Sequence, residues 1–175
     1  MNNLPGRVLL DSKQIAQVVS VLAQQLNKEY KHQSPVFVGV LNGSFIFMSD
    51  LVKQLTFAPE ICFVQLSSYH GNIKSTGKID MIKDVDVDVR NKSVVIIDDI
   101  VDSGLTVRYL SDYLYEKGAN PVKICTFLSR SRIVKPDFVG YRLETNKFLV
   151  GYGLDLDNQF RNFPYVLELD VEANK

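Results

Sequence analysis

The sequence predicts an α/β fold, a mostly parallel, twisted sheet flanked by helices. Three observations lead to this prediction. Short, strongly apolar runs alternate with segments of helical periodicity, the connections between them are short, and no internal repeat or low-complexity linker interrupts the pattern. The 175 residues, of which 46% are hydrophobic and 23% charged, suit a single domain over 1–175 with room for a small appended lobe.

The first predicted elements are a helix and a strand. Apolar residues recur at helical spacing across 11–30, and the Asp-Ser pair at the start of this segment can cap the helix. The run VFVGVL at 36–41 is entirely apolar, which is typical of a strand that is covered on both faces. Asn-Gly-Ser at 42–44 ends that strand, and a second helical pattern follows at 45–55.

The middle of the chain contains two strands separated by polar segments. ICFVQLS at 61–67 is the first of these strands. The glycine-containing stretch 67–78 lacks periodicity, so a loop is predicted there, and its length indicates a mobile one. The stretch 78–91 is also polar, and no regular element is assigned to it. SVVIID at 93–98 has the strongest buried-strand pattern in the chain.

The last third of the chain continues the alternation. Apolar residues at helical spacing begin at Leu105, and Gly118 stands where the C-terminus of that helix is expected. Further strands are predicted at 123–129, 136–141 and 146–155. Strands that alternate with helices in this way favour a parallel sheet.

Charge and cysteine content narrow the class of protein. Twenty Lys and Arg residues balance twenty Asp and Glu residues, so the chain has no built-in attraction for nucleic acid or an anionic membrane. No run approaches the ~20 apolar residues of a membrane span, and the first residues do not resemble a secretory signal. Cys62 and Cys125 lie in apolar runs and are expected to be buried and reduced. A cytoplasmic domain is therefore expected.

Three acids follow the strongest predicted strand. Asp98 and Asp99 stand at its carboxyl end, where parallel sheets bind ligands, and Asp102 precedes small residues that lead into a helix. The N–H groups at a helix N-terminus favour a phosphate, but nearby carboxylates repel one unless a divalent cation or ribose hydroxyls lie between them. The pattern predicts a sugar phosphate bound with Mg²⁺, whereas an acid pair alone could equally cap a helix or lie in a solvated turn.

The segment VVIIDDIVDSGLTV at 94–107 closely resembles the phosphoribosyl-pyrophosphate (PRPP) motif of type I phosphoribosyltransferases. Four more segments resemble hypoxanthine-guanine phosphoribosyltransferases in order and spacing, at 41–51, 67–77, 135–141 and 147–166. The resemblance covers nearly the whole chain. It implies the type I phosphoribosyltransferase fold, with a small hood lobe formed by the N-terminal segment and the residues after about 146.

The resemblance implies a role for each acid. Asp98 and Asp99 are expected to hold the ribose hydroxyls of PRPP and Mg²⁺, and Asp155 is expected on a second Mg²⁺. Asp102 is expected near N7 of the purine as general base, because the purine loses a proton as its nitrogen bonds to C1′. The residues expected on the 5′-phosphate are Asp102, Ser103, Gly104, Leu105 and Thr106.

The resemblance also implies contacts with pyrophosphate and with the base. A loop that contains Ser68 and Tyr69 is expected to close over the reacting centre and exclude water. A backbone loop with a cis peptide bond is expected on pyrophosphate, assisted by an arginine. The residues expected on pyrophosphate are Leu41, Asn42, Gly43 and Arg161. Those expected on the purine are Arg130, Lys147, Phe148, Leu149, Val150 and Leu154, with Phe148 stacked on the ring.

Two positions depart from the resembled family. Asn42 stands where Lys or Arg is frequent, and because this loop acts mainly through its backbone we expect weaker electrostatic attraction rather than lost activity. Arg130 stands where a lysine usually donates to the 6-oxo group of the purine. Arginine can donate to a carbonyl, but its planar fork is not equivalent to an ammonium group.

The sequence thus predicts a purine-salvage transferase that converts hypoxanthine or guanine and PRPP to IMP or GMP and pyrophosphate. It is expected to use Mg²⁺, to form a homodimer or homotetramer, and to bind neither nucleic acid nor membranes. One alternative is a regulator with the same fold that senses nucleotides or RNA without turnover, although the zero net charge and Asp102 argue against it. The other is a homologue that prefers xanthine.

Overall fold

The computed structural model describes residues 4–68 and 79–172. It confirms the predicted α/β fold. The helices are α1 (Ser12–Glu29), α2 (Phe45–Val52) and α3 (Leu105–Glu116). The strands are β1 (Gly6–Leu10), β2 (Val36–Leu41), β3 (Glu60–Ser68), β4 (Ile79–Lys83), β5 (Val94–Val101), β6 (Val122–Ser129), β7 (Phe138–Arg142), β8 (Lys147–Val150) and β9 (Val166–Glu172).

Six strands form the main sheet, in the order β4-β3-β2-β5-β6-β7. All neighbouring pairs are parallel except β3 and β4, which are antiparallel. The central strand β5 is covered on both faces, as its apolar sequence predicts. Val95 and Ile97 belong to one buried cluster, and Val94 and Ile96 belong to a second cluster on the opposite face. This alternation follows from the two-residue period of a strand.

Local side-chain and backbone chemistry explains where α1 and α3 begin. Asp11 accepts hydrogen bonds from the backbone of Lys13 and Gln14, and the Gln14 side chain accepts one from the Asp11 backbone, which completes a capping box at α1. Helix α3 instead begins at Leu105, directly after Gly104, whose φ is +83° and which has no side chain to act as a cap. None of the helices in the described ranges has the length and apolarity needed to span a lipid bilayer.

A second, small sheet has the order β1-β9-β8 and is antiparallel throughout. It joins the two ends of the chain, because β1 pairs with β9 across more than 150 residues. Leu149 of β8 and Val166 of β9 are buried in the same cluster as Phe127 of the main sheet, so the two sheets share a core. The small sheet thus lies against the main sheet rather than as a separate body.

Several boundaries differ from the sequence predictions. The strands β1, β4 and β9 were not predicted, although β9 alternates apolar and acidic residues in the sequence LELDVE. The predicted strand over 146–155 is wrong beyond Val150, because Gly151, Tyr152 and Gly153 all have positive φ and turn the chain. Strand β5 also continues past the predicted end to Val101, so the acid pair lies within the strand.

Candidate active site

Two adjacent parallel strands bring a turn and an acid pair together. β2 ends at Leu41 and β5 lies beside it, carrying Asp98 and Asp99. Gly43, in the turn after β2, lies so close to Asp99 that a Cβ added at Gly43 would collide with the carboxyl group. The peptide bond between Leu41 and Asn42 is cis, in agreement with the expectation from the resemblance.

Asp98 is buried at the floor of this cleft, and Asp99 is half-buried beside it. Asp98 is 5% exposed, and its Oδ1 accepts a hydrogen bond from the Asp99 backbone N–H at 3.1 Å. Burial raises the pKa of Asp98 well above its ordinary value, and the neighbouring Asp99 carboxylate raises it further. Burial also raises the pKa of Asp99, while Arg161 is among the groups that oppose this shift. The raised pKa values indicate that the positive charge near Asp98 and Asp99 is too small to balance two ionised carboxylates.

Asp98 and Asp99 fit a bound Mg²⁺ that takes its remaining ligands from elsewhere. In the described part of the chain, no group of three or more His, Cys, Asp or Glu residues lies close enough together to hold a metal ion with protein ligands alone. Mg²⁺ is usually held by one or two carboxylates together with phosphate oxygens and water. Asp98 and Asp99 provide two carboxylates whose burial favours an added cation.

The turn from β5 to α3 forms a second wall of the cleft. A small cavity of about 80 Å³ is lined by Asp98, Asp102, Ser103, Gly104 and Thr106, among others. Leu105 begins the helix; its backbone N–H donates to Ser103 Oγ at 3.3 Å, and its side chain points outward. Apart from this bond, no side chain of the described residues caps the N-terminal N–H groups of the helix, so the end of α3 can bind an anion.

A third segment, from the C-terminal part of the chain, reaches the same cleft. Arg161 donates from Nη1 to the Gly153 carbonyl at 2.7 Å and forms an ion pair with Asp155 through Nη2 at 2.8 Å. Gly153 has a φ of +101°, and a Cβ added there would collide with the Gly43 carbonyl oxygen. Arg161 and Asp155 are therefore held next to the loop that contains Gly43, as expected for a pyrophosphate site.

The opposite side of the cleft contains Arg130 and Asp102. Arg130 Nε lies 3.6 Å from Asp102 Oδ1, and the Arg130 side chain is 9% exposed whereas that of Asp102 is 60% exposed. Arg130 Nη1 donates to the carbonyls of Thr145 and Lys147. Its buried Nε makes no hydrogen bond in the described residues. The pair thus presents a donor and an acceptor side by side.

The residues expected on the base lie on β8 and in the turn after it. Phe148 is partly exposed, as a stacking side chain must be. The side chains of Leu149, Val150 and Leu154 are buried, so only their backbone groups can face a ligand. The Lys147 amine lies near carboxylates of β9 rather than pointing freely into the cleft.

Sequence reasoning missed two sets of contacts. Lys147 Nζ lies 3.2 Å from Asp170 Oδ1 and 3.6 Å from Glu168 Oε1, and Glu168 is buried. Tyr152 donates to Asp50 Oδ2 at 3.0 Å, which joins the turn after β8 to α2. Burial, followed by the nearby Asp50, raises the pKa of Tyr152. The acid-rich alternation of β9 was the available signal for the first set; no local pattern indicated the second.

One expected feature lies outside the description. Tyr69 falls in the range 69–78, which the structure does not describe, and only the backbone of Ser68 is described, at the end of β3. The expectation of a closing loop at these residues stays a prediction.

Comparison with known proteins agrees with this arrangement. The sequence matches the phosphoribosyl transferase domain family over residues 7–157. It is 41% identical to a hypoxanthine-guanine phosphoribosyltransferase of Lactococcus lactis, over 95% of this chain and 92% of that protein. A protein of the same name from Staphylococcus aureus is 38% identical over 99% of this chain and 98% of its own.

Solved structures show the same likeness. A crystal structure of a hypoxanthine phosphoribosyltransferase from Staphylococcus aureus matches with a TM-score of 0.89 and 37% identity, covering 96% of this chain and 93% of that one. A hypoxanthine-guanine phosphoribosyltransferase from Bacillus anthracis matches with a TM-score of 0.87 and 32% identity, covering 93% of this chain and 98% of that one.

Proposed function

We propose residue roles for a purine-salvage transferase, since the chain belongs to the phosphoribosyltransferase family and, within it, to the hypoxanthine-guanine phosphoribosyltransferases. The reaction joins hypoxanthine or guanine to PRPP and yields IMP or GMP and pyrophosphate. One observation supports the assignment of roles most strongly. The acid pair, the α3 N-terminus and the Gly43 loop meet at one edge of the main sheet, with Arg161 beside them.

The ribose 5′-phosphate is proposed to bind at the start of α3. The backbone N–H groups of Ser103 to Thr106 and the two hydroxyls of this turn can donate to phosphate oxygens, and the helix dipole adds to the attraction. Gly104 cannot be replaced by a larger residue without a collision with Val134, so the turn packs closely against the connection between β6 and β7. The buried carboxylates of Asp98 and Asp99 are then near the ribose hydroxyls.

Mg²⁺ is proposed at Asp98 and Asp99, with a second ion at Asp155. When bound, the metal supplies positive charge that stabilises pyrophosphate as a leaving group. The Leu41–Gly43 backbone and Arg161 are proposed to bind the same pyrophosphate. Arg161 is already oriented by its bonds to Gly153 and Asp155, so little side-chain entropy remains to be lost on binding.

The base is proposed to bind between Phe148 and the Arg130–Asp102 pair. A 6-oxopurine protonated at N7 offers an acceptor, O6, beside a donor, N7–H, and Arg130 and Asp102 offer the complementary donor and acceptor. As N9 bonds to C1′ and the bond from C1′ to pyrophosphate breaks, the Asp102 carboxylate accepts the N7 proton. Adenine carries an amino group in place of O6, which would face the Arg130 donor.

A spectrophotometric assay tests this function with purified protein, PRPP, Mg²⁺ and each of hypoxanthine, guanine, xanthine and adenine. We expect turnover with hypoxanthine and guanine and none with adenine. A higher kcat/KM for xanthine would reassign the substrate within the same class. Absence of turnover with every base would contradict the proposal and favour a nucleotide-binding regulator.

Assembly and location are also proposed. A hollow of about 590 Å³ lies between α1, α2 and the segment around Phe163, and its apolar lining includes Ile15, Val19 and Ile46. Phe45, nearby on α2, is 44% exposed. We propose that such a surface is covered in a homodimer or homotetramer; a monomer in sedimentation velocity at micromolar concentration would contradict this. The free, buried cysteines suit a reducing cytoplasm.

We also propose the chain as a single domain over 1–175 whose small sheet forms the hood above the cleft. The shared buried cluster supports this division, because the small sheet has no separate core large enough to fold alone. A cooperative, single thermal transition is expected in calorimetry. Two separated transitions would contradict it.

A further inference from the structure

Arg130 makes contacts that the donation of one hydrogen bond to a purine does not require. Its backbone N–H donates to the Val101 carbonyl at 3.0 Å, which fixes the residue at the end of β5. Its Nη1 donates to the Thr145 carbonyl at 3.2 Å and to the Lys147 carbonyl at 3.0 Å. Its Nε lies 3.6 Å from Asp102. Arg130 thus bonds to the main sheet through its backbone, and its side chain contacts the proposed general base and the first residue of β8.

The other ion pairs of the small sheet do not make this connection. Lys147 pairs with Glu168 and Asp170, and Arg7 pairs with Glu168 at 3.3 Å, so these bonds tie β1, β8 and β9 to one another. In the described residues, none of these three ion pairs reaches the main sheet. Arg130, which follows β6 of the main sheet, instead donates a hydrogen bond to the carbonyl of Lys147, the first residue of β8.

We propose that Arg130 is a positioning residue that fixes strand β8 relative to Asp102. This inference rests on the proposed function, which places the base against strand β8. Thr145 and Lys147 lie three residues and one residue before Phe148, so two hydrogen bonds to their carbonyls set where the stacking ring and the Val150 backbone stand. A base can then meet Asp102 and β8 at the same time without either having to move.

The planar guanidinium is needed for this role. Nη1 and Nε point in different directions, so one group can bond to two carbonyls while another faces Asp102. A lysine has a single nitrogen. It could donate to the base or to the carbonyls of the β7–β8 connection, but it cannot hold both carbonyls and also stand 3.6 Å from Asp102.

The variants Arg130→Lys and Arg130→Ala, compared with Arg132→Ala, separate positioning from direct donation. Arg132 is an exposed arginine of the same loop, and no side-chain hydrogen bond is formed by it in the described residues. Amide hydrogen exchange is measured in the ligand-free full-length protein, with strand β2 as an internal reference. KM for hypoxanthine, KM for PRPP and kcat are measured separately.

We expect exchange across 145–150 to quicken about tenfold or more in both Arg130 variants, with β2 unchanged. KM for hypoxanthine should rise by a similar factor in both, while KM for PRPP stays within about twofold, since a general loss of structure would change both constants. Arg132→Ala should match the parent protein.

Two results would overturn the proposal. If Arg130→Lys keeps both the exchange rates and the KM for hypoxanthine of the parent protein, donation to the base is the role of Arg130 and positioning is not. Unchanged exchange at 145–150 in Arg130→Ala would also refute it. The proposed function fails separately, through absence of turnover in the parent protein, and the exchange result still decides the positioning role in that case.

Discussion

Gly153→Ala tests whether the close approach of two loops builds the pyrophosphate site. Gly153 lies against the Gly43 carbonyl. A Cβ added at Gly153 would lie much closer to that carbonyl oxygen than 3.0 Å, a separation below which Cβ atoms are essentially never found. Restoring ordinary contact requires the loops to separate by more than 1 Å, and a misplacement of about 1 Å already costs on the order of 10²-fold in rate. We expect kcat/KM for PRPP to fall by about that factor.

Gly118→Ala is the matched control. Gly118 has a φ of +88° against +101° for Gly153, so an alanine at either position has similar backbone strain. The nearest atom to a Cβ at Gly118 is Arg90 Cγ at 3.3 Å, on a flexible and exposed side chain far from the cleft. Each variant should lose about 1–2 kcal/mol of stability from the strain, which lowers Tm by about 2–8 °C.

The assay is steady-state kinetics with PRPP as the varied substrate, at a temperature well below Tm for all three proteins. Gly118→Ala should retain kcat/KM within about twofold of the parent, because its strain lies outside the site. If Gly153→Ala also retained kcat/KM for PRPP, the contact between Gly153 and Gly43 would have no part in binding pyrophosphate, and the reasoning would be refuted.

Three further predictions concern the acids. Asp102→Ala should lower kcat by about 10²–10⁴-fold with little change in Tm, because the side chain is 60% exposed; a kcat near the parent value would exclude its role as general base. Asp155→Asn should raise the Mg²⁺ concentration for half-maximal activity by about 10-fold or more, and an unchanged requirement would remove Asp155 from the metal site. Burial raises the pKa of Asp98 in the folded protein above the ordinary 3.8, so without Mg²⁺ stability should fall as pH rises from the ordinary pKa through the raised one. Asp98→Asn should weaken this decline in Tm as pH rises above about 4, and an equal decline in both proteins would contradict it.

The elements that could be predicted are those with a local signal. The all-apolar sequence of β2 and the Asp-Ser start of α1 identify a buried strand and a capped helix from neighbouring residues alone. The acid pair and the turn after it could be located from neighbouring residues in the same way, although β5 runs on to Val101. The strands β1 and β4 could not, since β1 is mostly exposed and β4 is a five-residue segment with no fully buried side chain, and each is a strand because a partner pairs with it.

The candidate site divides in the same way. Asp98, Asp99 and Asp102 lie within one five-residue segment, so their chemistry could be inferred before any fold was known. The placement of Arg161 against the Gly43 loop could not be inferred from spacing, because the two are separated by more than 100 residues and are brought together by Gly153. The pairing of Lys147 with Glu168 and Asp170 likewise depends on the register of β8 and β9.

The amino-acid sequence by itself determined the alternation of strands and helices, the acid pair and the anion-binding turn, because periodicity, capping and backbone N–H geometry act over a few residues. The tertiary structure alone decided that the two chain ends form one small sheet, that the Gly43 loop lies against Gly153, and that Arg130 bonds to the start of β8. These contacts join distant residues, and their geometry exists only once the shared core has brought the sheets together.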